Sequence, residues 1–297
     1  MIEIIRASEM GFCFGVRRAI DVMEQVAQGH ERIDSLGSIV HNPQVVERLA
    51  SQGIHVAKSL EEVSGGTVAI TAHGVGPEVV EGIRARGLGV IDTTCPIVER
   101  SQMAAKKLVE EGFTVVVYGD GSHPEVRGVL AWTDGKGIAT TDPDFLKSYK
   151  RPPKRIGLLA QTTQVPEHFA AFVNRIIQEN VEGVAEFRVV NTLCGATTKQ
   201  QHAALDLAYQ VDMMIVVGGR KSANTTHLAE LCADAGVETH HIETAGEIDP
   251  QWLTGKKRVG VTAGASTPDF SIDAVAERLE ELSLDLESAS GSKVPTR

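Results

Sequence analysis

Three cysteines occupy matching places in the chain, each directly ahead of a stretch with a helical pattern. Cys13 lies in "GFCFGVRRAI", Cys95 in "DTTCPIVER" and Cys194 in "NTLCGATTKQQ". A thiol at a helix N-terminus has a lowered pKa and binds metals as the thiolate, so we expect all three to be ready ligands. Three thiolates suit either zinc with one open position or a [4Fe–4S] cluster in which one iron lacks a protein ligand, and the wide spacing favours the cluster. Cys232, inside "THLAELCADAGVE", is predicted to be a core residue.

The cysteines mark an internal repeat. His41, His123 and Ser222 each lie 28 residues after one of them (13 to 41, 95 to 123, 194 to 222), between a strand-like run and a helix-like run. A third segment of each repeat joins a β-rich run to a helical pattern near a proline, in "TAHGVGPE", "AQTTQVPE" and "TAGASTPD". Strands that alternate with helices throughout predict an α/β fold with mainly parallel sheets.

The repeats divide the chain into three related α/β units. Their predicted ranges are 1–94, 95–193 and 194–285, and residues 286–297 form a polar tail that we expect to be poorly ordered. In parallel α/β units, ligands bind beyond the C-terminal ends of the strands. The repeat therefore predicts a pseudo-threefold trefoil in which nine loops at strand ends face one central cavity.

The loops that would face this cavity carry hydrogen-bond donors suited to an anion. Histidines, hydroxyls and an amide beside helix N-termini can hold a diphosphate without any arginine. The predicted donors are His41, His73, His123, Ser222, Asn224 and Ser266. Neither GxxxxGK[ST] nor GxGxxG follows a strand-like run, which argues against the usual nucleotide sites.

Glu125, in "GSHPEV", is a candidate proton donor. A carboxyl beside a bound diphosphate and an apolar chain has a raised pKa, so it can give up a proton near neutral pH. The same glutamate also suits the start of a helix, where a carboxylate stabilises the helix dipole. The residues alone leave both interpretations open.

Composition and net charge limit the kinds of molecule that this protein is expected to bind. The 297 residues have a formal net charge of -10, which argues against nucleic acid or an anionic membrane surface as partner. No apolar run approaches the length of a membrane span, and no signal-peptide pattern is present. Four cysteines in a chain of this length do not form a disulfide scaffold. We therefore expect a cytoplasmic protein that acts on a small molecule.

A series of motifs, in collinear order over about residues 10 to 280, resembles the 4-hydroxy-3-methylbut-2-enyl diphosphate reductases of the non-mevalonate isoprenoid pathway. The motifs are "GFCFGVRRAI", "IVHNPQVV", "TAHGVG", "DTTCPIV", "GSHPEV", "AQTTQ", "SANT" and "VTAGASTPD". The resemblance implies a trefoil of three α/β domains around an oxygen-sensitive [4Fe–4S] cluster with one open iron. It also implies reductive loss of an allylic hydroxyl to give isopentenyl and dimethylallyl diphosphates, with electrons from a low-potential donor such as ferredoxin or flavodoxin.

The resemblance further implies roles for individual residues. The three repeat cysteines match the cluster ligands, and the six donors named above match the diphosphate ligands. Glu125 matches the proton-delivery carboxylate, and Thr162 matches its hydroxyl relay. The chain departs from the family at Ala223, where many members have serine, so a hydroxyl donor is missing and only the backbone N–H can contribute there.

Two other functions would use parts of the same site. A hydro-lyase with a three-cysteine cluster would dehydrate a small phosphorylated substrate without consuming electrons. A metal-sensing or redox-sensing module would show no turnover, and it would leave the predicted diphosphate donors without a role. Net electron consumption separates the first alternative from a reductase, and turnover of any kind separates the second.

Overall fold

Aliphatic and β-branched runs form short strands, and the amphipathic segments between them form helices, as their periodicities predict. The computed structural model describes residues 2–291. Its strands are β1 (Glu3–Arg6), β2 (Ile33–Leu36), β3 (Ile54–Ala57), β4 (Thr67–Ile70), β5 (Gly89–Asp92), β6 (Thr114–Tyr118), β7 (Gly137–Thr140), β8 (Arg155–Ala160), β9 (Glu186–Val189), β10 (Met213–Val217), β11 (Glu238–Ile242) and β12 (Arg258–Ala263). Its helices are α1 (Phe14–Ala27), α2 (Pro43–Ser51), α3 (Pro77–Ala85), α4 (Pro96–Glu110), α5 (Pro124–Leu130), α6 (Pro166–Asn180), α7 (Gly195–Ala208), α8 (Ala223–Asp234) and α9 (Asp269–Gly291). Among these helices, none has both the length and the apolar composition needed to span a bilayer.

In the described residues the strands form three four-stranded sheets, in the orders β3-β2-β4-β5, β7-β6-β8-β9 and β1-β12-β10-β11. Every strand pair within them is parallel. Parallel neighbours need a crossover connection, which the intervening segments supply. The predicted α/β fold with mainly parallel sheets is confirmed.

The three sheets repeat one topology. The strand that leads to a cysteine is an edge strand in each sheet: β5, β9 and β1. Beside it lies the strand that leads to the proline-containing segment, which is β4, β8 or β12. The N-terminal strand β1 completes the third sheet, where Glu3 lies opposite Arg258 of β12. In the sheet β1-β12-β10-β11, the strand that leads to the cysteine therefore comes from the N-terminal part of the chain, whereas the other three strands come from the C-terminal part.

Contacts within the described residues group the chain into two compact units. The first unit comprises residues 2–13, 41–43 and 196–291, and it contains the sheet β1-β12-β10-β11. The second unit comprises residues 14–40 and 44–195, and it contains the other two sheets. The three ranges predicted from the repeat stay a prediction. Helix α9 includes the start of the predicted polar tail, whose residues 292–297 lie outside the described residues.

Helices cover both faces of the sheet in the first unit. On one face, Met213 and Ile215 of β10 pack against Leu279 of α9. On the other face, Met214 packs with residues of α7 and α8, including Cys232, because successive strand side chains point to opposite faces. Cys232 is fully buried, and burial raises the pKa of its thiol to about 12. Its predicted place in the core is confirmed.

The second unit has one large sheet core and one smaller one. The sheet β7-β6-β8-β9 lies between a cluster that includes Phe169 of α6 and a cluster that includes Leu108 of α4 and Val126 of α5. The sheet β3-β2-β4-β5 contributes a smaller cluster, in which Val68 packs with Ile83 of α3. These packed strands provide a rigid base for the loops at their C-terminal ends.

Gly260 of β12 has no room for a side chain. A Cβ there would overlap Met214 Sδ and lie 3.1 Å from the Leu207 side chain, in a fully packed core. We expect Gly260→Ala to lower the free energy of unfolding by about 1–3 kcal/mol, the usual cost of overpacking. Gly66→Ala is the control, because a Cβ there would meet no atom of the described residues within 4 Å. Equal stability of the two variants in urea unfolding would contradict the prediction.

Candidate active site

The predicted site residues lie in loops, or in first helical turns, that follow the C-terminal ends of strands. Cys13, Cys95 and Cys194 directly precede α1, α4 and α7. Ser222 is the N-cap of α8, so Ala223 is the first residue of that helix. The placement of these residues between strand and helix is confirmed.

Backbone hydrogen bonds attach each cysteine to the neighbouring strand. The N–H···O distances are 3.1 Å from Cys13 to Ala265, 3.0 Å from Cys95 to Ala72 and 2.9 Å from Cys194 to Thr162. In each case the accepting carbonyl is the second residue after the adjacent strand, which is β12, β4 or β8. The three cysteines are therefore equivalent in backbone structure as well as in sequence, which supports a shared role.

A second set of hydrogen bonds holds the same loops two residues before each cysteine. The Thr93 hydroxyl donates to Ile70 O at 2.6 Å. The Thr192 hydroxyl donates to Ala160 O at 2.6 Å and accepts from Ala160 N–H at 2.9 Å. Gly11 is the residue two positions before Cys13. Its N–H donates to the carbonyl of Ala263, the last residue of β12, at 3.3 Å, and its φ is 76°. The positive φ is a conformation that glycine adopts readily, and it shapes the loop that leads to Cys13.

Glu125 and Thr162 form a buried pair in the second unit. Glu125 is 3% exposed, and its Oε1 accepts from Thr162 N–H at 2.7 Å while its Oε2 accepts from the Thr162 hydroxyl at 2.8 Å. Burial raises the pKa of Glu125, and the two hydrogen bonds from Thr162 offset part of that rise. Because the backbone N–H can only donate, Oε1 must accept. A proton on this carboxyl therefore belongs on Oε2, and the hydrogen bond then reverses, with the Oε2 hydroxyl donating to the Thr162 hydroxyl oxygen.

His123 is held in one tautomer. It is the N-cap of α5, and its Nδ1 accepts from Glu125 N–H at 3.2 Å. Since that N–H can only donate, Nδ1 carries no proton, and the neutral ring has its proton on Nε2. The His73 ring lies edge-on to His123 with centroids 5.4 Å apart, and its Nδ1 is 3.3 Å from the Thr71 hydroxyl. Two of the three predicted histidine donors, His73 and His123, thus lie together beside the start of α5.

The free thiol of Cys95 does not have the lowered pKa that we expected from its position at a helix N-terminus. Burial raises the pKa of Cys95, the N–H groups of Ile97 and Val98 lower it by less, and neighbouring Cys194 and Glu125 raise it further. The expectation is wrong for this cysteine because desolvation outweighs the helix donors. The effects of Cys194 and Glu125 also show that both lie close to Cys95.

The hydroxyl and amide donors of the first unit also lie together. The Ser222 and Ser266 hydroxyl oxygens are 3.5 Å apart, and Ser266 donates to the His41 carbonyl at 3.4 Å. Asn224 is 3% exposed, and its Oδ1 accepts no hydrogen bond from the described residues. Burial and the positive charge of Lys221 lower the pKa of His41, which favours its neutral ring. These four residues form one polar group beside the N-terminus of α8.

Each of the three repeat cysteines has the exposure that a metal ligand needs. Cys13, Cys95 and Cys194 form no disulfide among the described residues and have intermediate exposure, whereas Cys232 is buried in the core. A ligand thiol must reach out of the packed core to meet a metal centre, and a bound metal ion would remove the Cys95 proton despite the raised pKa of that thiol. The repeat cysteines meet this requirement, and Cys232 does not.

Two polar residues beside these groups were not among the predicted site residues. Thr163 takes the loop position of His73 and Ser266, one residue after the carbonyl that accepts from a cysteine. Counting residues from the end of each strand would have identified it. Gln200 is buried and hydrogen-bonds to Asn224, but glutamine inside a helix has no sequence signal that distinguishes it from an ordinary helix former.

Thr192→Val keeps the shape of the side chain but removes the hydroxyl that pairs with both backbone groups of Ala160. Because these groups are buried, we expect the free energy of unfolding to fall by about 1–3 kcal/mol. Thr198→Val, at a half-buried position in α7, is the control and should stay within about 0.5 kcal/mol of the original protein. Urea unfolding followed by circular dichroism measures both, and an unchanged midpoint for Thr192→Val would refute this role.

Comparison with known sequences shows relatives along nearly the whole chain. Residues 4–280 match the family described as LytB protein. The 4-hydroxy-3-methylbut-2-enyl diphosphate reductase of Dehalococcoides mccartyi (strain CBDB1) is 47% identical over 277 residues, which cover 93% of this chain and 97% of that protein. Proteins of the same name from Geobacter metallireducens and Aquifex aeolicus are 44% and 42% identical, and each alignment covers 95% of this chain. These alignments cover 98% and 97% of the two relatives.

Solved structures agree with the sequence comparison. A structure of (E)-4-hydroxy-3-methyl-but-2-enyl diphosphate reductase is 41% identical with a TM-score of 0.67, and the match covers 95% of this chain and 100% of that one. The E-1-hydroxy-2-methyl-but-2-enyl-4-diphosphate reductase of Plasmodium falciparum has a TM-score of 0.85 over 92% of this chain and 86% of its own, and at 24% identity it shows the shared fold. The resemblance indicated by the motifs is confirmed, and the chain belongs to the LytB family.

Proposed function

We propose that this protein reduces 4-hydroxy-3-methylbut-2-enyl diphosphate to isopentenyl and dimethylallyl diphosphates. The names of its relatives support both the substrate and the type of reaction. The structural observation that carries the proposal is the buried pair of Glu125 and Thr162 close to Cys95. It combines a carboxyl whose raised pKa favours its protonated form, a hydroxyl that can pass the proton on and a neighbouring thiol proposed as a ligand.

Cys13, Cys95 and Cys194 are assigned as the ligands of a [4Fe–4S] cluster. Their equivalent backbone positions and half-buried thiols support the assignment. When bound, the cluster would supply electrons one at a time together with an iron that has no protein ligand. The electrons would come from a low-potential protein such as ferredoxin or flavodoxin in the cytoplasm.

The diphosphate group is assigned to neutral donors. These are the side chains of His41, His73, His123, Ser222, Asn224 and Ser266, with the backbone N–H of Ala223. The tautomer of His123 supports its part, because its neutral ring donates from Nε2. Hydrogen bonds to a charged group contribute about 1.5–3 kcal/mol each, so several of them can hold the anion without an arginine.

The proton path begins at Glu125. Loss of the allylic hydroxyl as water consumes two electrons and two protons, one proton joining the departing oxygen and the other joining carbon. Glu125 holds its proton on Oε2 and passes it through the Thr162 hydroxyl toward that oxygen. Protonation at either end of the allylic system then accounts for two products.

Glu125→Gln should separate binding from chemistry. The amide keeps the shape and can still hydrogen-bond to Thr162, but it cannot deliver a proton. We expect turnover with a reduced viologen to fall at least about 100-fold, while cluster content and diphosphate binding stay near those of the original protein. Glu167→Gln is the matched control, because Glu167 is the second residue of α6 as Glu125 is of α5, but it is exposed. If Glu125→Gln turned over at close to the original rate, the proton source would lie in another loop.

Serine in place of Cys13, Cys95 or Cys194 should abolish reduction and lower the iron and sulfide content. Cys232→Ser is the matched control and should keep nearly full iron content, because its thiol faces the core. Visible absorption with iron and sulfide analysis of anaerobically purified protein measures the effect. Full iron content in all three repeat-cysteine variants, or loss confined to Cys232→Ser, would reverse the ligand assignment.

A further inference from the structure

The side chain of Gln200, on α7, connects two parts of the first unit. Its Nε2 donates to Gly11 O at 2.7 Å, and its Oε1 accepts from Asn224 Nδ2 at 3.2 Å. Gln200 is 4% exposed and Asn224 is 3% exposed. The amide therefore forms a buried connection between the loop that leads to Cys13 and the first turn of α8.

The carbonyl of Gly11 determines the direction of this connection. A carbonyl can only accept, so Gln200 must turn its Nε2 toward Gly11 and its Oε1 toward Asn224. Asn224 must then present Nδ2 to Gln200. The reversed Asn224 amide would bring two oxygens together in a buried place, which is unfavourable. One fixed backbone group thus selects the orientation of both side-chain amides.

The loop that provides this carbonyl is itself well anchored. Gly11 N–H donates to the last residue of β12, and Cys13 N–H donates to Ala265 just beyond that strand. A Cβ at Gly11 would lie 3.0 Å from the Ile272 side chain, so the loop packs closely against α9. The hydrogen-bond chain that orients Asn224 therefore ends at β12, an interior strand of the sheet.

We propose that Gln200 is a positioning residue that orients the Asn224 amide toward a diphosphate group. The inference rests on the proposed function, in which Asn224 is a diphosphate ligand. Nδ2 of Asn224 carries two hydrogens, and the hydrogen bond to Gln200 uses one of them. The other is left for an anionic oxygen. Holding the amide in this orientation before binding removes the entropy cost of ordering it in the complex.

A double-mutant cycle tests the proposal. Isothermal titration calorimetry measures the affinity of the anaerobically purified holoenzyme for inorganic diphosphate. We expect Gln200→Met, which keeps the length but removes the amide, to weaken binding about threefold to tenfold. In an Asn224→Ala background the same substitution should have almost no further effect, because Gln200 acts through Asn224. Steady-state reduction should show a raised KM with kcat nearly unchanged.

Gln210→Met is the control, because Gln210 is exposed and its side-chain amide donates to the nearby Asp206 carbonyl. If Asn224→Ala leaves the affinity unchanged, the assignment of Asn224 fails, and this proposal fails with it. If Asn224→Ala weakens binding but Gln200→Met does not, or if the two effects simply add, the positioning role is overturned while the proposed function stands. Should Gln200→Met not fold, Gln200→Asn takes its place in the cycle, because its shorter amide cannot reach both partners.

Discussion

The backbone hydrogen bond from each repeat cysteine to a carbonyl just beyond the neighbouring strand is the contact on which the rest of the site depends. It occurs with nearly the same length in all three sheets, at 2.9–3.1 Å. In each sheet it joins the loop after an edge strand to the loop after the strand beside it. A helix begins directly after each of the three repeat cysteines, so the bond holds the residue that precedes each helix. Strand ends, cysteines and helix N-termini are thereby held in one repeated arrangement.

Parallel pairing makes this arrangement useful for chemistry. In each sheet, all strand C-termini lie at one edge, so loops that are distant in sequence emerge side by side. The loop of Thr162 reaches Glu125 in this way, because β6 and β8 are neighbours in one sheet. The loops of Ser222 and Ser266 meet for the same reason, since β10 and β12 are adjacent. Within each sheet these polar side chains meet through short loops at neighbouring strand ends.

Burial shifts the pKa values of Glu125, His41 and Cys95. Burial removes water from the Glu125 carboxyl and raises its pKa, and the two hydrogen bonds with Thr162 offset only part of that rise. His41 responds to burial in the opposite direction, because its charged form is the protonated one, and it too is favoured in the neutral form. The same desolvation raises the pKa of the free Cys95 thiol. In each unit burial favours the neutral form of the group that it surrounds, which is His41 in the first unit and Glu125 in the second.

The sequence by itself determined the repeat, the alternation of strands and helices, the position of each repeat cysteine before a helix and the family. These features depend on spacing and on local patterns, which can be read without knowing which segments are in contact. Only the tertiary structure decided that β1 joins the third sheet, that Glu125 pairs with Thr162, and that Gln200 connects Gly11 to Asn224. It also decided that burial outweighs the helix N-terminus at Cys95. Each of these features depends on contacts between groups that are far apart in the chain, or on the loss of water around them. Local residue patterns reveal neither of these.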